Sequence, residues 1–166
     1  MITAIISAPD AKQGAVLKSA MYQGQWGYLS GSDANGEIYV TPVATSGQAC
    51  YNASRLFPIQ YWPQTNEDEE TYQNSTAMAS GVRVVGYIGH GVVIEDDYVY
   101  TRVGSGTFVS GTAGDFMYLN SSGYPTVANA VTTGIGSTPV AVFMGLQGTK
   151  VLYKKILTGY SGIPTA

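Results

Sequence analysis

The sequence predicts an all-β protein, an antiparallel β-sandwich or small β-barrel core with an extended, irregular N-terminal arm. Three observations lead there. From Gly104 to Thr149 the only charged side chain is Asp115, and Gly, Ser, Thr and Asn break every apolar run well short of the ~20 residues a spanning helix needs. After Gly81 come seven short β-forming runs, separated by Gly, Asn, Asp and Ser at the spacing of a sandwich or barrel. Charged residues make up only 11% of the 166-residue chain, against about 25% in ordinary domains. Strands so poor in charge either bury both faces or press against another chain, which makes assembly the first functional expectation.

Residues 1–80 read as an arm or irregular layer. Pro9 to Ala20 suits one short helix, with Pro9 in the first turn and Lys18 near the C-terminal end, although Gly14 in its middle costs roughly 1 kcal/mol relative to Ala. Met21 to Tyr28 is aromatic without a helical or alternating period. Asn35-Gly36 signals a turn, and Glu37 to Thr41 alternates as a strand that ends at Pro42. Pro58 to Ala79 reads as an exposed loop or linker, in which the acidic run Glu67-Asp68-Glu69-Glu70 lies within a loop over 64–76.

Residues 81–158 read as the β-rich core, followed by a tail over 159–166. Its strand candidates are Val82–Ile88, Gly91–Ile94, Tyr98–Val103, Thr107–Val109, Asp115–Leu119, Pro139–Met144 and Lys150–Ile156. In Tyr98–Val103 the residues Val99, Thr101 and Val103 share one face and Tyr98, Tyr100 and Arg102 the other, the pattern of a half-buried antiparallel strand.

Composition narrows the function classes. A net charge of −3, with eight Lys and Arg dispersed along the chain, offers no electrostatic footprint for nucleic acid or anionic membrane, so neither is an expected partner. Thirteen Tyr, four Phe and two Trp are more than a disordered chain carries. Cys50 is the sole cysteine, which rules out an intrachain disulfide and a thiolate metal cluster. The N-terminal Met-Ile-Thr-Ala-Ile-Ile is too short for a signal h-region and meets Pro9-Asp10 at once, so the expectation is synthesis in the cytoplasm without export by that route.

The search for chemistry yields no catalytic, cofactor or metal residues. His90, the single histidine, stands between Gly89 and Gly91 without a nucleophile at a telling spacing, and a turn role suits it better. One His, one Cys and scattered carboxylates are a poor zinc inventory. Gly104-Ser-Gly106 lacks the third glycine of a dinucleotide fingerprint, since Val109 stands there, and Gly159-Tyr-Ser161-Gly162 has Ile163 where a nucleophile elbow needs glycine. Asp33, Glu37, Asp96, Asp97 and Asp115 are the carboxylates a glycosidase would have to pair across a cleft. Asp33 to Glu37 also resembles part of a calcium loop but lacks its later acidic ligand, and a polar turn accounts for it. The chain is therefore expected not to be an enzyme and to need no cofactor.

Above this background stands the aromatic set Tyr22, Trp26, Tyr28, Tyr61 and Trp62, all in segments without a clear core period. Such residues can be core, can stack on sugars, or can anchor a protein interface, where Tyr and Trp bury large rigid surfaces at low entropic cost. They are the candidate protein-interface residues.

Gly114-Asp-Phe-Met-Tyr-Leu-Asn-Ser-Ser-Gly-Tyr-Pro, then an Ala- and Thr-rich segment, then Thr138-Pro-Val-Ala-Val-Phe-Met-Gly, resembles the small β-domains of tailed-phage capsid decoration, or cement, proteins. The resemblance covers about Thr101 to Ile156. It implies a non-enzymatic virion protein, made in the host cytoplasm and placed on the capsid exterior. There it would bind the major capsid protein where subunits meet, as a homotrimer whose N-terminal arm lies on the shell or on a neighbouring copy. The length of the first eighty residues and their acidic run depart from the short decoration domains. The alternative is a carbohydrate- or receptor-binding β-module of a virion, with the Trp and Tyr set as its platform.

Overall fold

The computed structural model describes residues 2–6, 12–43, 56–61, 76–89, 91–96, 111–120, 122–127, 139–148 and 150–156, with 2–6 as backbone alone. The described residues are all-β and contain no helix. Their strands are β1 (Ile2–Ile6), β2 (Lys12–Leu17), β3 (Trp26–Ser32), β4 (Ile38–Pro42), β5 (Phe57–Tyr61), β6 (Arg83–Tyr87), β7 (Val93–Asp96), β8 (Phe116–Leu119), β9 (Pro125–Thr126), β10 (Ala141–Gln147) and β11 (Lys150–Lys155). Five of them close into a barrel in the order β2-β4-β3-β5-β6, and the other six form a sheet in the order β1-β7-β11-β10-β8-β9. Every pairing is antiparallel except β2 with β4, which run parallel and meet only at Val16 opposite Tyr39 and Leu17 opposite Val40.

Alternation along the barrel strands sorts side chains between two cores. Ala15, Leu17, Val40, Phe57, Ile59, Tyr61 and Val84 point inward and fill the barrel with Met21 and Met78. Trp26 and Tyr87 point outward and join Val43, Leu56, Ile94, Met117, Phe143 and Tyr153 in a second core between barrel wall and sheet. The Trp26 ring is fully buried there, 6.3 Å from the Tyr153 ring at an interplanar angle of 34°. Burying a large apolar side chain contributes roughly 1.5–3 kcal/mol, so a wall that feeds both cores ties the two bodies together strongly. Main-chain bonds cross the same junction, for Trp26 N–H donates to Gly123 O at 2.9 Å.

Two glycines make the barrel this narrow. A Cβ on Gly27 would lie 2.7 Å from both Val40 Cγ1 and Thr41 O, closer than side-chain carbons approach, so β3 can face β4 here only as glycine. On Gly86 a Cβ would run into the Phe57 ring, and the missing side chain is the space that ring fills.

The expected strands at 37–41, 82–88, 91–94, 115–119, 139–144 and 150–156 coincide with β4, β6, β7, β8, β10 and β11. Tyr98–Val103, Thr107–Val109, the acidic run 67–70 and the tail 159–166 lie outside the described residues. The N-terminal expectation needs correction. Residues 12–43 and 56–61 are not an irregular arm but hold β2 to β5, and β6 completes their barrel, so the architectural change falls after Tyr87 and not at 80. Residues 12–17 of the expected helix are strand β2, because Gly14 disfavours a helix while Ala15 and Leu17 alternate into the barrel. Phe57–Tyr61, expected as loop, is strand β5. It tolerates Pro58 because that residue pairs with Trp26 near the end of β3, where the missing N–H costs little.

Candidate functional site

The outward face of β8, β10 and β11 is the candidate site. Register places Phe116, Val142 and Lys154 in one row across the three strands, since Val142 lies opposite Phe116 on one side and Lys154 on the other. The neighbouring positions Met117, Ala141 and Tyr153 turn inward and are buried. On the outer side Phe116 is 52% exposed and Met144 46%, and Leu146 at the end of β10 is 49% exposed. Ordinary solvated strands place Lys, Glu or Thr at such positions. A shallow depression of about 560 Å³ opens on this face between Gly114, Val142, Met144, Lys154 and Ile156.

The turn that frames the face is built by the one acid of the uncharged stretch. Asp115 Oδ2 accepts from Thr112 N–H at 2.8 Å, Gly114 takes φ +103° and donates to Phe143 O at 2.7 Å, and Phe143 N–H returns a bond to Asp115 O at 2.8 Å. A residue with a side chain adopts that φ only under strain, which explains Gly114. At the far side of the sheet Lys150 Nζ and Glu95 Oε1 form an ion pair at 2.8 Å. Between these limits Lys154 is the lone charge on the β8–β10–β11 row.

The other carboxylates weighed as catalytic are occupied in structural tasks. Asp33 Oδ1 accepts from Asn35 N–H and Glu37 N–H, each at 2.8 Å, as a polar turn requires. Glu37 pairs with Arg83, and Asp96 is fully buried against Gly24. Among the described residues no three His, Cys, Asp or Glu side chains converge on a point. His90 and Asp97 lie outside the described residues.

No known protein-family model matches the sequence, and no curated protein matches it significantly.

The aromatic set is dispersed. Trp26 sits in the barrel–sheet core and Tyr61 inside the barrel, so both are core residues of this chain and not an exposed interface. Tyr28 is half-buried and packs on the barrel–sheet core, Tyr22 is half-buried beside Gln25, whose Oε1 accepts from Tyr22 N–H at 3.1 Å, and Trp62 lies outside the described residues. Core periodicity was invisible around Trp26 because alternate positions of β3 serve different cores and one of them is glycine. The exposed Phe116, Met144 and Leu146 escaped the sequence reading. The available signal was the lack of charge around them.

Proposed function

We propose that this chain is a structural virion protein that decorates the outer surface of an icosahedral phage capsid and stabilises contacts between major capsid protein subunits. The observation that carries the reading is the outward face of β8, β10 and β11, where Phe116, Val142 and Met144 lie exposed around a single cation. An exposed apolar patch on a soluble surface marks a place where another protein docks. On a lattice of identical sites each such contact can be weak, because a homotrimer engages three at once and gains by avidity. The phage-cement resemblance over Thr101 to Ile156 includes β8 and β10, the strands that carry the face. Trp26 and Tyr61 are enclosed, so the carbohydrate alternative loses two of its stacking residues.

The test is co-sedimentation of the purified chain with capsids assembled from the major capsid protein encoded in the same genome, with light scattering of the free chain beside it. A trimer that saturates the capsid surface supports the proposal. A monomer that stays in the supernatant and binds glycans on an array overturns it in favour of the alternative.

A further inference from the structure

The barrel is closed by a seam that is only partly stitched. On β2, Leu17 N–H donates to Val82 O at 3.0 Å on the β6 side, and Lys18 N–H donates to Val40 O at 2.9 Å on the β4 side. Successive residues of a strand turn their main-chain groups to opposite edges, so Val16 and Gly14 address the β4 side with Lys18. The β2–β4 ladder starts only at Val16, however, and upstream of it the two strands part. A slot of about 230 Å³ fills the gap, lined by Gln13, Gly14 and Ala15 on one wall and Gly36, Glu37 and Ile38 on the other.

Gly14 is exposed in this slot and presents its amide and carbonyl to it. The carbonyl is occupied only by the side chain of its own neighbour, since Gln13 Nε2 donates to Gly14 O at 2.9 Å. Glycines on both walls, Gly14 and Gly36, leave main chain uncovered where another backbone would approach. At the mouth Glu37 and Arg83 already neutralise each other, so the slot attracts neither sign of charge. An open edge with a main-chain donor and acceptor, small flanking residues and no net field fits one chemistry, an uncharged extended peptide added as a strand.

We propose that this seam, centred on Gly14, receives an extended uncharged segment of the major capsid protein by strand addition, displacing the Gln13 side chain from Gly14 O. The inference rests on the capsid reading above but concerns a different surface from the β8–β10–β11 face. The occupant runs alongside β2 from Gln13 to Val16, about 13 Å at 3.3 Å per residue.

The experiment compares wild type, Gly14→Val and Gln13→Ala in capsid co-sedimentation, and follows hydrogen exchange of a peptide covering 12–17 with and without capsids. Circular dichroism and thermal melting confirm that each variant folds, and an exposed valine in a strand favours the fold. The expected results are a loss of about tenfold or more in capsid affinity for Gly14→Val and a gain of about threefold for Gln13→Ala, the latter matching release of one modest hydrogen bond. The wild-type 12–17 peptide should exchange more slowly on capsids. If wild type ignores capsids, the capsid reading itself fails. If wild type binds while Gly14→Val binds equally well, and 12–17 gains no protection, the seam inference is overturned and the capsid reading stands.

Discussion

A side-chain carbon on Gly24 would lie 2.9 Å from Asp96 Oδ2, so the turn before β3 and the last residue of β7 meet with no room between them. Gly24 also takes φ +77°, a conformation that side chains resist. Gly24→Ala should therefore combine backbone strain with displacement of a buried carboxylate, and lower stability by about 2–3 kcal/mol. Urea denaturation checks this, and a shift under about 0.5 kcal/mol would contradict the contact.

Lys155 is buried on the inward face of β11, where its Nζ donates to Ile88 O at 3.1 Å. Burial lowers its pKa from 10.5 to about 8, because the ammonium is removed from water. The unfolded chain keeps its proton up to 10.5, so between about 8 and 10.5 the unfolded state binds more protons and stability rises with pH. Below pH 8 the full cost of burying the charge is present. Lys155→Met should abolish the alkaline rise and stabilise the protein at pH 7 by up to about 3 kcal/mol. Denaturation at pH 7 and pH 9.5 reads both effects.

Gly86 and Phe57 share one space inside the barrel. Gly86→Ala should cost about 1–3 kcal/mol through overpacking. In the Phe57→Leu background the same substitution should cost less, by at least about 0.5 kcal/mol, because the ring that blocks the new methyl is gone. A double-mutant cycle in urea measures the difference, and strict additivity would argue against the shared space.

Phe116 and Met144 are half-exposed, so Phe116→Glu and Met144→Glu should change stability by no more than about 0.5 kcal/mol. Under the capsid reading the pair together should reduce capsid occupancy at least about tenfold. Normal occupancy by the folded double variant would move the docking surface elsewhere.

The strands readable from sequence are those whose pattern serves one core. In β11, Val151, Tyr153 and Lys155 turn inward while Lys150, Leu152 and Lys154 turn out, and turn signals bracket it. In β3, Trp26 and Gly27 point to different cores, both are buried, and the alternation disappears although the strand is regular. In β5, Pro58 argued against a strand that Phe57, Ile59 and Tyr61 nevertheless pack from inside the barrel. The candidate face was legible only as absence of charge from Gly104 to Thr149. Which members of that stretch are exposed depends on the pairing of Val142 with Phe116 and Lys154, a long-range register that no local window contains.

Removing residues 1–30 was the natural way to test an N-terminal arm, and the double-sided wall of the barrel changes what such a cut would do. It would take away β1, β2 and Trp26, a side chain at the centre of the sheet's own core. Neither half of the chain owns a complete interior. Fragments divided at 90 would each carry one side of an apolar seam, and mixing them should regenerate the fold by complementation where neither folds alone.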